Sequence, residues 1–205
     1  MPLPSLRTSS LILALAATAS AAFGQTLSLL GIELATAQRA QLEQAALDAG
    51  AVRAGQDGPV SRFDATKIGL PGIQSLTVLF RQDKLVMAQY SSAPATSADR
   101  GAYMKLEHSE ALRKLLAERY GAPQEVSRLG LGTGRPFAGQ FIDDGKYAWK
   151  FDGGMKLEYE QPWGTSKPVT VSYFSPDLVA KVRAEAERAD AAAVKSTSKA
   201  LGSKL

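Results

Sequence analysis

Few residues in this sequence could carry out catalysis. His108 is the only histidine, and the chain has no cysteine. A Ser-His-Asp triad would have to use His108, yet the sequence contains no Gly-x-Ser-x-Gly elbow that would present a nucleophilic serine. A zinc site needs several nitrogen or sulfur ligands, which this composition does not supply. We therefore predict a non-enzymatic protein without a metal or a cofactor, in which His108 is a helix-surface residue.

Two further stretches invite a chemical interpretation. Asp143-Asp144 is an acidic pair, but it is followed by Gly145 and is typical of a turn. The stretch Leu129–Gly134, LGLGTG, is rich in glycine like a phosphate-binding loop. Such a loop must open a helix, whereas here Arg135-Pro136 and an expected strand follow. Glycoside hydrolysis by two carboxylates distant in sequence stays open as an alternative.

Trp163 is the residue for which we predict a function. It lies in QPWGTSKP, a loop rich in proline and glycine between two expected strands. An exposed aromatic side chain is a favoured interface anchor, because it buries much apolar area with little loss of entropy. We predict that Trp163 binds a partner protein. The alternative is that its ring folds back and covers the edge of the sheet.

The segments that lead to this loop alternate in polarity. In Lys146–Phe151, every second residue is aromatic and alternates with lysine or Ala148. In Met155–Gln161, the residues Met155, Leu157 and Tyr159 alternate with lysine and glutamate. Side chains on a strand point to opposite faces with a period of two. The pattern predicts a hairpin with one buried face and one solvated face with cross-strand charge pairs, and it assigns Asp152-Gly153-Gly154 to the turn.

Two helices and a second set of strands precede this hairpin. Ala37 to Gly50, with Thr36 as its cap, carries an apolar stripe at helical spacing, and a second helix ends at Gly121 with its own stripe of Leu112, Leu115, Leu116 and Tyr120. The other predicted strands are Val60–Thr66, Ser75–Arg81, Leu85–Tyr90, Phe137–Ile142 and Val169–Phe174.

A common spacing suggests an internal repeat. The helix-ending glycines Gly50 and Gly121 are 71 residues apart, and so are Phe80 and Phe151, which each precede a predicted turn. Each unit would consist of a helix, a glycine stop and antiparallel hairpins. We predict an α+β fold of two such units followed by a C-terminal helix, which Ser175 caps and Pro176 begins.

The N-terminal residues have the layout of a secretory signal peptide. Arg7 precedes the apolar run Leu11–Ala17 and small residues follow, which places cleavage after Ala21 or Gly24. The run is shorter than the ~20 residues that span a bilayer, so we expect no integral membrane segment after cleavage. The expected organisation is a signal peptide (1–24), a first unit (25–95), a second unit (96–175), a C-terminal helix (176–194) and a disordered tail (195–205).

Composition narrows the compartment and the partner. The chain is rich in alanine and has neither cysteine nor asparagine, which favours a bacterial periplasmic or secreted protein without disulfides. The formal charge is +4 and becomes +3 once Arg7 is removed, an excess too small to indicate nucleic-acid binding. The partner we expect is another envelope protein.

The two helix segments ATAQRAQLEQAALDAGA and EALRKLLAERYGAP, each followed by amphipathic hairpins, carry a family resemblance. The arrangement resembles the β-lactamase inhibitory protein fold, a tandem repeat of helices and a sheet. It is also similar to the small outer-membrane assembly lipoproteins of the SmpA/OmlA type. The resemblance covers roughly residues 31–174 and implies a protein-binding module, without any site residue carried over. An envelope hydrolase and a carrier of a small apolar ligand are the alternatives.

Overall fold

A computed structural model describes residues 26–93, 106–128, 145–162 and 167–202. The helices are α1 (Arg39–Asp48), α2 (Leu106–Tyr120) and α3 (Pro176–Gly202). The strands are β1 (Ser28–Leu29), β2 (Ile32–Glu33), β3 (Val52–Asp57), β4 (Val60–Asp64), β5 (Ile73–Arg81), β6 (Lys84–Ser92), β7 (Glu125–Arg128), β8 (Gly145–Lys150), β9 (Lys156–Gln161) and β10 (Thr170–Phe174).

The predicted α+β class is confirmed. Within the described residues, β1 and β2 form a small hairpin, and the other eight strands form one antiparallel sheet in the order β3-β4-β5-β6-β10-β9-β8-β7. Four strands follow α1 and four follow α2 before α3. The last strand of each series, β6 or β10, lies at the centre of the sheet, and the first strand of each, β3 or β7, lies at an edge.

One face of the sheet, the core face, packs against α1 and α2. Its large side chains are almost fully buried, and α2 reaches them directly: the Ser109 hydroxyl lies 2.5 Å from the Tyr159 hydroxyl, and the Trp149 indole N–H donates to the Gly121 carbonyl at 2.9 Å. The aromatic and aliphatic residues of this core include Phe63, Leu76, Val78, Tyr90, Tyr147, Trp149, Leu157, Tyr159, Val171 and Tyr173. Because this face is apolar and the opposite one is polar, the sheet has the alternation expected of a one-sided antiparallel sheet.

The hairpin of β8 and β9 forms as predicted. All six residues assigned to its apolar face are buried, namely Tyr147, Trp149, Phe151, Met155, Leu157 and Tyr159. Its turn is a single turn of 3-10 helix at Asp152–Gly154, in which Gly153 and Gly154 have φ of 75° and 74°. Such angles strain any residue with a Cβ, which explains the glycine pair.

The C-terminal ends of α1 and α2 lie close to the predicted glycines, whereas the start of α1 differs from the prediction. Gly121 comes directly after α2 with φ of 79°, and Gly50 follows the α1 cap residue Ala49 with φ of 95°. Helix α1 begins at Arg39 and not at Ala37, after Gln38, whose side chain makes no capping hydrogen bond. In α3 the Leu178 N–H donates to the Ser175 hydroxyl at 3.4 Å, as predicted for the cap.

Helix α3 is longer than predicted. It continues to Gly202, so residues 195–202 are helical and do not belong to a disordered tail. Alanine and lysine favour helix strongly, and the Arg183 guanidinium pairs with Glu187 one turn later at 2.9 Å.

The sequence does not predict four of the described strands, which are the β1–β2 hairpin and the edge strands β3 and β7, and the buried stripe of α2 is narrower than predicted. Strands β3 and β7 lie at the two edges, where exposed residues such as Arg53 and Gln56 show no apolar alternation. Leu115, which was assigned to the buried stripe of α2, is 45% exposed. The predicted strand Phe137–Ile142 and the Asp143-Asp144 turn lie outside the described residues.

The 71-residue spacing does not hold along the whole chain. It relates Gly50 to Gly121 and the edge strand β3 to the edge strand β7. It also relates Phe80 to Phe151, but β5, which contains Phe80, is third from one edge, while β8, which Phe151 follows, is second from the other. The glycine pair and the phenylalanine pair therefore imply two different alignments of the first unit with the second.

Two neighbouring positions on β9 test the assignment of faces. Leu157 is fully buried, so Leu157→Lys should lower the free energy of unfolding by ~4 kcal/mol or more, through the lost packing and a buried charge. Lys156 points to the opposite face, so Lys156→Leu should change it by ~1 kcal/mol or less. Urea unfolding measures both values, and equal losses would contradict the assignment.

Candidate functional site

The sheet face opposite to the core is the candidate site, and we call it the outer face. Its central row runs across β4, β5, β6, β10 and β9. Each residue of the row is the cross-strand partner of the next, in the order Arg62, Thr77, Gln89, Ser172 and Glu158. A second row, Asp64, Ser75, Ser91, Thr170 and Glu160, lies beside it. Helices α1 and α2 lie on the core face, so these rows face away from them.

The middle of the outer face is a strip of hydroxyl and amide groups. The Gln89 amide donates to the Ser172 hydroxyl at 2.9 Å, which links β6 to β10 on this side. Most of these side chains are only half-buried, although Ser172 is nearly covered by its neighbours. The strip thus offers hydroxyl and amide groups that are partly exposed, and the Gln89–Ser172 pair among them is held by a hydrogen bond.

Towards β7 the outer face carries an alternating chain of charges. Lys150 pairs with Glu125 at 2.6 Å, Glu125 with Lys156 at 3.1 Å, and Lys156 with Glu158 at 2.9 Å. Lys146 then joins Glu158 at 2.6 Å and Glu160 at 3.0 Å. Three lysines and three glutamates are thereby ordered into a chain with no net charge. Ala148 is buried between its cross-strand neighbours Glu125 and Glu158.

The pairing shifts the titration of these groups. Hydrogen bonds from Lys150 and Lys156 lower the pKa of Glu125. A hydrogen bond to Glu158 raises the pKa of Lys156 against the effect of its partial burial. Partial burial acts to lower the pKa of Lys146, but Glu158 and Glu160 outweigh it and the pKa is raised. Each shift favours the charged form, so the chain of charges persists across the neutral range.

An apolar margin and α3 border the outer face at the β5–β6 turn. Leu79, Met87 and Phe174 are cross-strand partners and are half-buried. The first turns of α3 approach this margin, since the Arg81 guanidinium lies 2.5 Å from the Glu185 carboxylate and Val182 shares a cavity with Leu79. The outer face therefore combines a polar centre with an apolar border.

Trp163 belongs to the connection between β9 and β10. Residues 163–166 lie outside the described residues, so the predicted anchor role is not tested. The connection leaves the sheet after Gln161 and returns before Thr170, whose partner across the strands is Glu160. Both ends of the loop thus adjoin the second polar row of the outer face.

Of the other residues singled out in the sequence, only His108 is among the described residues. His108 is partly exposed near the start of α2, and Asp143, Asp144 and Leu129–Gly134 lie outside the described residues. On the core side, burial acts to raise the pKa of Glu43, but hydrogen bonds from Ser61 at 2.5 Å and Arg53 at 2.7 Å outweigh it and lower the pKa. Glu43 is therefore a carboxylate that joins α1 to β3 and β4.

The sequence indicates only part of the outer face. The Lys and Glu side of the β8–β9 hairpin was recognised, whereas the Ser, Thr and Gln positions of β5, β6 and β10 were not. Their signal is the same alternation, for example in Gln74–Val78 and Met87–Ser91, but it carries no charge and is easily taken for ordinary strand surface.

Within the described residues, no group of three or more His, Cys, Asp or Glu side chains is placed to hold a metal ion. No helix in the described part of the chain is both long and apolar enough to cross a membrane. Comparisons with family models, curated proteins and solved structures gave no match to this chain.

Proposed function

We propose that this chain is an exported, non-enzymatic protein-binding module of the bacterial cell envelope, and that it binds another envelope protein through the outer face. The observation that carries the proposal is the ordered outer face itself, which spans the sheet and faces away from the two helices that cover the core. Side chains that are already fixed by mutual bonds lose little entropy when a partner binds. The chain of charges is neutral, which favours a protein partner with a similar mosaic over a polyanion such as nucleic acid.

The size of the face indicates which neighbours must contribute. Eight strands at ~4.8 Å spacing and about five residues deep at ~3.3 Å give an area of roughly 600 Å². A stable interface buries about 800 Å² on each partner. The remainder must come from elements at the border, which are the first turns of α3 and the connection that contains Trp163. The proposal assigns part of this remainder to Trp163.

The titration of the described carboxylates supports binding over hydrolysis. A general acid needs a carboxyl group with a raised pKa. Glu43, Asp64 and Glu125 are the described carboxylates with a shifted pKa, and each is shifted down. Ionised, paired carboxylates of this kind order a surface.

We also propose that the two halves of the fold are structural repeats, in keeping with the resemblance to the β-lactamase inhibitory protein and SmpA/OmlA folds. In the proposed repeat, β3 is equivalent to β7, β4 to β8, β5 to β9 and β6 to β10, in keeping with the order of the strands in the sheet. Each unit is then a helix followed by four strands. Residues between β7 and β8 would then form an insertion in the second unit.

The repeat can be tested by superposing residues 39–92 on residues 106–174 in an experimental structure. A rotation of about 180° around the β6–β10 boundary should place β4 on β8 and β5 on β9. A better fit of β5 on β8, as the Phe80 and Phe151 spacing requires, would contradict this pairing.

The binding face can be located by photocrosslinking in cells that export the full chain. A photoreactive residue at Gln89, in the centre of the outer face, should give a covalent adduct with one envelope protein. The same residue at Gln41, which is exposed on α1, should give none and is the matched control. The intact mass of the captured chain should also show an N-terminus between residues 22 and 25. Adducts of equal yield at both positions, or adducts at Gln41 alone, would contradict the proposal.

Trp163→Ala separates an anchor from a packing residue. For an anchor, the melting temperature stays nearly unchanged, and affinity for the partner captured at Gln89 falls by ~2 kcal/mol or more. Trp149→Ala is the control, because Trp149 is buried and should lose ~3–5 kcal/mol of stability. If Trp163→Ala loses stability like Trp149→Ala and shows no separate binding defect, Trp163 is a lid over the sheet and not an anchor.

A further inference from the structure

A pocket of about 400 Å³ lies on the core face between α2 and the central strands β6 and β10. Leu112, Leu115 and Leu116 of α2 form one wall, and Val171 and Leu70 contribute to the others. Leu115 is the helix residue that sequence analysis placed in the buried stripe and that is instead 45% exposed. An apolar side chain that lines a pocket and stays open to solvent marks a surface that a ligand can cover.

Three tyrosines from different elements, Tyr90, Tyr120 and Tyr173, also line this pocket. The Tyr120 hydroxyl donates to the Ser28 carbonyl at 3.0 Å. Tyr90 is 1% exposed, and its hydroxyl has no hydrogen-bond partner among the described residues. A buried hydroxyl without a partner costs free energy, and Tyr90 is one of the residues that line the pocket, so a ligand group that reaches this hydroxyl would complete its hydrogen bonding.

The electrostatics of the pocket define the group that would fit. Burial and the neighbouring Tyr120 raise the pKa of Tyr90, so its hydroxyl stays protonated and can donate. Two charged side chains, Glu118 and Arg119, also line the pocket, and they have opposite signs. Arg119 is already engaged, since it donates to the Ser28 hydroxyl at 2.7 Å and stacks over the Tyr120 ring. The pocket therefore has no surplus charge that would hold an ionised ligand.

We propose that this pocket binds a small neutral molecule that is mostly apolar and carries one oxygen atom that accepts a hydrogen bond from Tyr90. The leucines of α2 and Val171 cover its apolar part. The volume suits a small organic molecule and is too small for a helix or a strand of a partner protein. This site lies on the face of the sheet opposite to the proposed protein-binding surface, so it is a function separate from the one proposed above.

Two probes of nearly the same shape test the role of the oxygen. Valerophenone carries a carbonyl group, and pentylbenzene has the same ring and a similar alkyl chain without it. Titrations of the mature protein, followed by NMR of its leucine and valine methyl groups, should show shifts at Leu112, Leu115, Leu116 and Val171. The wild-type protein should bind the ketone about five- to tenfold more tightly than the hydrocarbon, the usual effect of one buried hydrogen bond.

Two tyrosine variants assign the donor. Tyr90→Phe removes a hydroxyl without a protein partner, so the melting temperature should stay unchanged or rise. The variant should bind the ketone and the hydrocarbon with about equal affinity. Tyr120→Phe removes a hydroxyl that is already bonded and should keep the preference. The proposal is overturned if the wild-type protein binds neither probe, if the shifts map to other methyl groups, if the two probes bind equally, or if Tyr90→Phe keeps the preference. Loss of the preference in Tyr120→Phe would overturn the assignment to Tyr90.

Discussion

The pairing of β6 with β10 is the interaction on which the rest of this structure depends. These strands end the two series that follow α1 and α2, and their antiparallel ladder runs from the Ser91–Thr170 pair to the Met87–Phe174 pair. Beyond it, the Ser92 N–H donates to the Val169 carbonyl at 2.9 Å, and the Val169 N–H donates to the Ser92 hydroxyl at 3.0 Å. Without this junction, α1 and α2 would cover two separate four-stranded sheets. With it, they share one core.

The same two strands supply both candidate surfaces, because neighbouring residues point to opposite sides. Gln89 and Ser172 meet on the outer face, while Tyr90 and Tyr173 lie on the core face with their rings edge to face, 6.4 Å apart. Polar groups on the core face need partners, and most of them have one. The Tyr159 hydroxyl, for example, contacts Ser109 and Gln161, and burial raises its pKa to about 12. Among the described residues, Tyr90 has a buried hydroxyl without such a partner, and it lines the pocket.

The sequence predicts the parts of the fold that rest on local patterns. Alternation of apolar and polar residues in 146–161 defines the β8–β9 hairpin. Gly50 and Gly121 mark the helix ends, because glycine is the residue that adopts a positive φ without strain. The edge strands β3 and β7 escape prediction because neither buries an alternating apolar set. The β6–β10 junction joins residues about 80 positions apart, so no local pattern encodes it, and the pocket at Tyr90 depends on that junction. The outer face is recognisable only where its residues are charged.

The two edges of the sheet differ in a way that bears on how the protein behaves at high concentration. Unpaired edge strands invite a further strand from another molecule. Strand β3 interrupts its ladder with an irregularity between Arg53 and Gly55 and carries charges at Arg53 and Asp57. Strand β7 is only four residues long, and its Glu125 is tied to Lys150 and Lys156. Both edges therefore resist growth by strand addition, which keeps a sheet without disulfides from polymerising through its rims.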